Sequence, residues 1–225
     1  MTSKDTAPAS RNRRERPAKP ALTRQGIIEA ALVILREEGL RKVTMRRIAA
    51  ALDTGPASLY VYVRDTEDLH AQILDVLLAS VAAPSAGPWR DRLKALLTSY
   101  RDVLFGHPEI ARMALSTQPS GPNYLAMVDA ILALLHEGGV PDGAAAWGVD
   151  LLLLYPTAVA VEHSAPTRAG AGSELAGQVA EVDAARYPHI ARLGDELISG
   201  NGATRSDWAF DVLLNGIIAA GKSTG

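Results

Sequence analysis

The sequence predicts an all-α protein, with an N-terminal three-helix helix-turn-helix domain and a larger C-terminal helical domain. Three observations carry that reading. Apolar residues recur at spacings of three and four along most of the chain. The breaks between these stretches are rich in Gly and Pro. No alternating apolar and polar run bounded by hairpin turns occurs, so strands are not expected.

Residues 1–20 are rich in Arg, Pro, Ala and Ser without a helical period, and read as a disordered basic arm. Thr23 suits the N-cap of a first helix in which Ile27, Ala30, Ala31, Ile34 and Leu35 share a face, and Gly39 stops it. Thr44 caps a short second helix with Ile48, Ala49 and Leu52 inward. Asp53-Thr54-Gly55 breaks that helix. Pro56 then suits the first position of a third helix over Pro56–Val63, since a helix start does not need its N–H. A fourth helix runs from a Thr66 cap to about Ala82, with Glu67 and Asp68 in its first turn. Leu69, Ile73, Val76, Leu77 and Ser80 form its expected inward stripe.

Further helices are expected near Trp89–Phe105, Pro108–Leu115, Asn123–Glu137, Asp142–Ser164, Glu174–Arg186 and Thr204–Ala220. Pro156 should kink the longest of them. The segments are 1–20 as the arm, 21–66 as the helix-turn-helix, 67–83 as a connecting helix and 84–225 as the C-terminal domain.

Charge divides along the same line. Residues 1–64 carry 13 Lys and Arg against six Asp and Glu, a formal +7, whereas the remainder carries 10 against 19, a formal −9. A basic head on an acidic body suggests that only the head meets a polyanion. There is no cysteine, so disulfides, thiolate metal sites and cysteine nucleophiles are excluded. No apolar stretch follows the basic N-terminus, and Val149–Val161, broken by Asp150 and Pro156, reads as too short to span a bilayer. A cytoplasmic protein without membrane partners is the expectation.

The informative stretch is Val43–Val63, VTMRRIAAALDTGPASLYVYV. Two short helices joined by a tight turn make a helix-turn-helix. Ala49, Ala50 and Ala51 allow close helix approach, and Ile48, Leu52 and Leu59 can lock the pair onto the first helix. Gly55, Pro56, Ala57 and Ser58 leave room for the front of the second helix to reach base edges.

At these residues the chain resembles the tetracycline-repressor (TetR) family. The likeness rests on Ile27–Gly39 (IIEAALVILREEG), Thr44–Leu52 (TMRRIAAAL), Ser58–Val63 (SLYVYV) and Thr66–Leu69 (TEDL), and it is close over residues 22–80. It implies an all-helical dimer on palindromic double-stranded operator DNA, released by a small-molecule inducer bound to the C-terminal domain. By the same resemblance, Thr44 caps the second helix and meets a phosphate. Arg46 and Arg47 stand at positions of backbone or base contact. Thr54, Gly55, Pro56, Ala57 and Ser58 form the turn and the front of the reading helix. Tyr60, Val61 and Tyr62 continue its contact face, and Thr66 brings the fourth helix against the backbone.

Two departures stand out. Asp53-Thr54 replaces the family's frequent Gly-Val, although Asp tolerates the left-handed conformation better than most residues. Thr66 stands where Lys is common. Arm residues Arg11, Arg13, Arg14, Arg16 and Lys19 could restore the lost cationic contact. Bland alternatives stay open: Tyr60 and Tyr62 as packing on the first helix, Arg46 and Arg47 as solvated charges, the arm as ballast.

For the C-terminal domain the expectation is an apolar pocket among the fourth to eighth helices. Its candidate ligand-binding residues are Tyr100, His107, Met113, Trp147, Tyr155 and His163. Asp142–Ser164 and Thr204–Ala220, with small residues at Ala144, Ala145, Ala146, Gly148, Gly216, Ala219 and Ala220, are the dimerisation candidates. Ala111–Pro119 loosely resembles a stretch of the tetracycline repressor, but Ala114 stands where a histidine would coordinate metal, and the five histidines show no ligand spacing. No metal and no cofactor are therefore expected. An enzyme is disfavoured too, because no phosphate loop, nucleophile elbow or Glu-x-x-His pair occurs. An alternative keeps the DNA-binding head but gives the body a protein partner. If the interior holds no cavity above about 300 Å³, the small-ligand reading fails. Activation in place of repression stays open.

Overall fold

A computed structural model describes residues 21–115, 119–163 and 171–221. The expected basic arm, with Arg11, Arg13, Arg14, Arg16 and Lys19, lies outside the described residues.

The head consists of α1 (Arg24–Glu38), a 3₁₀ turn (Leu40–Lys42), α2 (Met45–Ala51) and α3 (Pro56–Leu59). Thr23 caps α1 by accepting the Gly26 N–H at 3.0 Å, and Gly39 ends it at φ +83°, a conformation open mainly to glycine. Thr44 caps α2 through the Arg47 N–H. Ile27, Ile34, Ile48 and Leu59 are fully buried together and hold the three helices as one unit.

The helix α4 (Thr66–Leu78) joins head to body. Asp65 rather than Thr66 caps it, since the Asp65 carboxylate accepts the Asp68 N–H at 2.8 Å while Asp68 accepts the Arg64 N–H at 2.8 Å. The reciprocal bonds satisfy two donors at the start of the helix. The helix is shorter than expected, because Ala79 and Val81 close tight turns back onto Val76 and Leu78. Its buried set also differs: Leu69, Ala71, Ile73, Leu74, Asp75 and Leu78 are buried, Val76 and Leu77 half-buried and Ser80 exposed. A single inward stripe fails here because α4 packs against α1 on one side and α6 and α7 on the other.

The body comprises α5 (Trp89–Gly106), α6 (Pro108–Ala114), α7 (Pro122–Glu137), α8 (Asp142–His163), α9 (Ala171–Ala180), α10 (Pro188–Ile198) and α11 (Gly202–Gly221). Among the described residues there is no strand. The central helix is α8, which packs on α5, α6, α7 and α11 and runs on through Pro156. Its 22 residues are long and apolar enough to cross a membrane by length and composition, contrary to the reading of Val149–Val161 as too short. Its packing on four neighbours accounts for one face of that apolar helix, while Trp147, Leu151 and Leu154 remain exposed.

The expected helix at Glu174–Arg186 stops at Ala180, and α10 is an addition. Asp183 folds the chain back by accepting the N–H groups of Ala185, Arg186 and Tyr187, after which Pro188 begins α10. Lys94 reaches Asp207 and Asp211, tying α5 to α11, and Arg92 reaches Glu137 of α7.

Candidate nucleic-acid interface and ligand cavity

Between α2 and α3 the chain reverses on Asp53, which takes φ +48° as its residue type allows, and the Thr54 N–H closes the turn on the Ala49 carbonyl at 2.9 Å. Pro56 occupies the first turn of α3. This helix has one buried side chain, Leu59. Gly55, Pro56, Ala57 and Ser58 are exposed, Thr54 is half-buried, and Tyr60 and Val61 are 55% and 80% exposed. The helix ends at Leu59 instead of Val63, and Tyr60–Tyr62 form a turn closed by the Tyr62 N–H on the Leu59 carbonyl. An apolar anchor with a short polar and aromatic front suits insertion into a groove.

The two arginines separate. Arg46 is exposed with its charge open to solvent. Arg47 grips Glu38 at the end of α1, with Nη2 2.5 Å from Oε1, and this hydrogen bond holds the Glu38 carboxyl below its ordinary value and lifts Arg47 above its own. Arg47 thus clamps α2 to α1 in the free protein. The tyrosines separate too: Tyr62 is half-buried and donates its hydroxyl to the Leu22 carbonyl at 2.7 Å, while Tyr60 faces outward. Thr44 and Thr66 are exposed at the starts of α2 and α4. Arg41, Lys42 and Arg64 add exposed cations that the motif alone did not single out; the signal was their position beside the helix starts.

In the body, a cavity of about 250 Å³ lies among α5, α6, α7 and α8. It is lined by Tyr100, Ala114, Leu115, Pro119, Tyr124, Asp150, Leu153, Leu154 and Thr157. The volume falls under the floor of about 300 Å³ set for a small ligand, and the cavity is open to solvent on one side. Tyr100 is buried and shares a 2.8 Å hydrogen bond with Thr157, whose hydroxyl also donates to the Leu153 carbonyl. Burial pushes the Tyr100 phenol above its usual value against that hydrogen bond, and burial with the charge of Asp150 raises Tyr124.

Of the six ligand candidates only Tyr100 lines this cavity. His107 lies at the α5–α6 junction in a separate groove of about 190 Å³ against Leu35, Gly39 and Leu40, and burial lowers its pKa. Met113 is half-buried on α6, and Trp147 is 83% exposed on the outer side of α8. Tyr155 meets Phe210 edge-on at 5.6 Å, and His163 stacks on Phe105 at 5.0 Å. Asp150, Leu153, Leu154 and Thr157 were missed, although their spacing of three, one and three puts them on one face of α8. No group of three or more His, Asp or Glu able to hold a metal occurs among the described residues.

The arrangement is that of a helix-turn-helix regulator: a small head with an exposed reading helix, joined by one helix to a separate helical body. The family model for tetR-type bacterial regulatory proteins matches residues 27–73, and that for the tetracycline-repressor-like C-terminal domain matches residues 82–220. The chain belongs to the TetR family of transcriptional regulators.

Relatives agree with this. An HTH-type transcriptional regulator of Saccharopolyspora erythraea is 38% identical over 124 residues, 54% of this chain and 52% of the relative. The chain thus spans about half the length of that curated relative. A structure of the transcription regulator SCO7704 from Streptomyces is 48% identical, covering 89% of this chain and 96% of the other, with a TM-score of 0.76. A structure of the TetR family protein ActR from Streptomyces coelicolor in complex with actinorhodin is 32% identical, covering 92% and 100%, with a TM-score of 0.81.

Proposed function

We propose that the protein is a homodimeric repressor that binds a palindromic operator through α3 and is released by a small molecule seated among α5, α6, α7 and α8. The observation that carries the reading is α3 itself, anchored by Leu59 alone and exposed from Gly55 to Val61 on a basic head. On this reading Ala57, Ser58, Tyr60 and Val61 face the bases with Thr54, Gly55 and Pro56 behind them. Thr44, Arg46 and Thr66 stand toward the phosphates, and Tyr62, its hydroxyl held by the Leu22 carbonyl, braces the reading helix beside them. Arg47 meets DNA after exchanging Glu38 for a phosphate, or holds the second helix in place.

Dimerisation is supported by the outer faces of α8 and α11. Trp147 and Leu151 on the one and Trp208 and Val212 on the other are exposed, and a lone protomer would leave this apolar surface to water. Within the protomer Gly148 allows the two helices to close, since a Cβ there would meet Ile217 at 2.9 Å. Two α3 helices then enter successive major grooves about 34–36 Å apart. The inducer is a small, largely apolar molecule with polar groups facing Asp150, Tyr124 and the Tyr100–Thr157 pair. It releases the operator by favouring a different head spacing. The protein acts in the cytoplasm, without catalysis.

Selection from a pool of random duplexes at low salt tests the proposal. The expected product is a pseudo-palindrome whose half-site centres lie about 10 bp apart or a multiple of this, with binding lost in Tyr60→Ala. A pool that never enriches, or a protein that stays monomeric, overturns it.

A further inference from the structure

Asp75 differs from everything else that α4 buries. The other five buried residues of the helix are apolar, whereas Asp75 is a carboxylate only 7% exposed. Its Oδ1 accepts the Tyr124 backbone N–H at 2.8 Å, and its Oδ2 accepts Asn123 Nδ2 at 3.1 Å. The partners lie in the first turn of α7, a helix that begins Gly121-Pro122 and has no side-chain cap from its own N-cap residue. A helix start leaves N–H groups without intrahelical partners and favours a negative charge. Asp75 supplies both the acceptor and the charge from another helix.

Gly121 completes the joint. It sits at φ +133°, and a Cβ there would lie 2.4 Å from the Asp75 Cγ. Glycine at this position therefore lets the two backbones approach closely enough for the carboxylate to reach α7.

Tyr124 belongs to two places at once. Its backbone is held by Asp75 and its side chain lines the body cavity. The head meets α4 from its middle to its start: α4 packs on α1, and Gln72, one turn before Asp75, accepts Arg24 Nε at 2.7 Å. From Asp75 to Thr66 is nine residues, about 14 Å of rigid helix. A small change of angle at Asp75 is thus displaced along a lever to the head.

We infer that Asp75 is a positioning residue that sets the spacing of the two DNA-reading heads by locking α4 to the first turn of the cavity-lining helix α7. This rests on the proposed dimeric, ligand-released reading. The hydrogen bonds to a buried charge resist breaking, so α4 follows α7 when the Tyr124 side chain is pushed from the cavity. The apolar contacts of Leu74 and Leu78 permit sliding, whereas the directional bonds of Asp75 do not.

The chain has no cysteine, so Ala51→Cys on the exposed end of α2 takes a single nitroxide label per protomer. Pulsed dipolar spectroscopy on the dimer then reads the head-to-head distance without ligand or DNA. Asp75→Ala, which removes both acceptors, should shift or broaden the distance by about 2 Å, the scale on which packed helices shift in switching proteins. Gly121→Ala, which breaks the joint from the α7 side, should do the same. The double exchange Asp75→Asn with Asn123→Asp reverses donor and acceptor, keeps the bond to the Tyr124 N–H, and should hold the original distance. A merely structural role lowers the melting temperature and leaves the spacing alone. An unchanged distance in both single variants, or a shift that is also seen in the double exchange, overturns the inference. Absence of any inter-subunit distance in the unsubstituted background instead removes the dimeric reading on which it rests.

Discussion

Leu59→Ala tests how the reading helix is held. Leu59 is fully buried and is the one side chain that α3 buries, so the whole hold of the helix on the head passes through it. The substitution deletes three carbons, about 2.4 kcal/mol of transfer free energy at about 0.8 kcal/mol each, and the cavity left behind raises the cost to about 3–5 kcal/mol. A head of about 45 residues has on the order of 2–7 kcal/mol of its own stability. The deletion therefore removes most of the head's stability and little of the body's. Followed by circular dichroism, the variant should melt in two steps, an early one for the head and a later one at the original temperature for α5 to α11. Anisotropy with a labelled duplex at low salt should show binding at 10 °C and its loss at 37 °C. A melting curve that moves as a single unit, or one that does not move, would refute the anchoring argument.

Other substitutions follow from individual contacts. Tyr62→Phe removes the hydroxyl that Leu22 accepts and should cost about 0.5–1.5 kcal/mol of stability with less than a twofold change in DNA affinity; a tenfold loss of affinity at unchanged melting temperature would make the hydroxyl a phosphate contact instead. Glu109→Ala deletes the carboxylate that accepts the Leu40 N–H at 2.7 Å across the head–body junction; at about 1.5–3 kcal/mol for a bond to a charged group, hydrogen exchange of the Leu40 amide should speed by about tenfold to a hundredfold, and unchanged protection would dismiss the contact. His70 is held below the ordinary imidazole value by burial, against an opposing bond from the Val43 backbone and the charge of Glu67, and its Nε2 is buried without a partner. The unfolded chain therefore takes up the proton first, and stability falls as pH drops through 6.5. His107 shifts in the same direction. The melting temperature should decline from pH 7.5 to 5.5 and decline less in His70→Gln; an equal decline in both would sink the assignment.

The local vocabulary of the fold was legible in the sequence. Thr23 and Thr44 as caps, Gly39 as a stop, the left-handed Asp53 and Pro56 at a helix start each follow from one residue's own conformational chemistry, and neighbours a few positions away suffice to decide them. The same holds for the all-helical class, because amphipathic spacing is a property of a single segment. Even α10 was open to such reading, since Ile190, Leu193 and Leu197 keep helical spacing between Pro188 and Gly200.

Contacts between distant segments were decided only by the folded chain. Nothing local marks Arg47 as the partner of Glu38, Tyr62 as the donor to Leu22 or Asp75 as the cap of a helix that begins at Pro122. Nor does composition say that Tyr100 turns into the cavity while Trp147 turns away from it. Helix periodicity fixes which residues share a face. Which face meets another helix depends on how helices far apart in sequence pack against one another, and that is settled only when the tertiary structure forms.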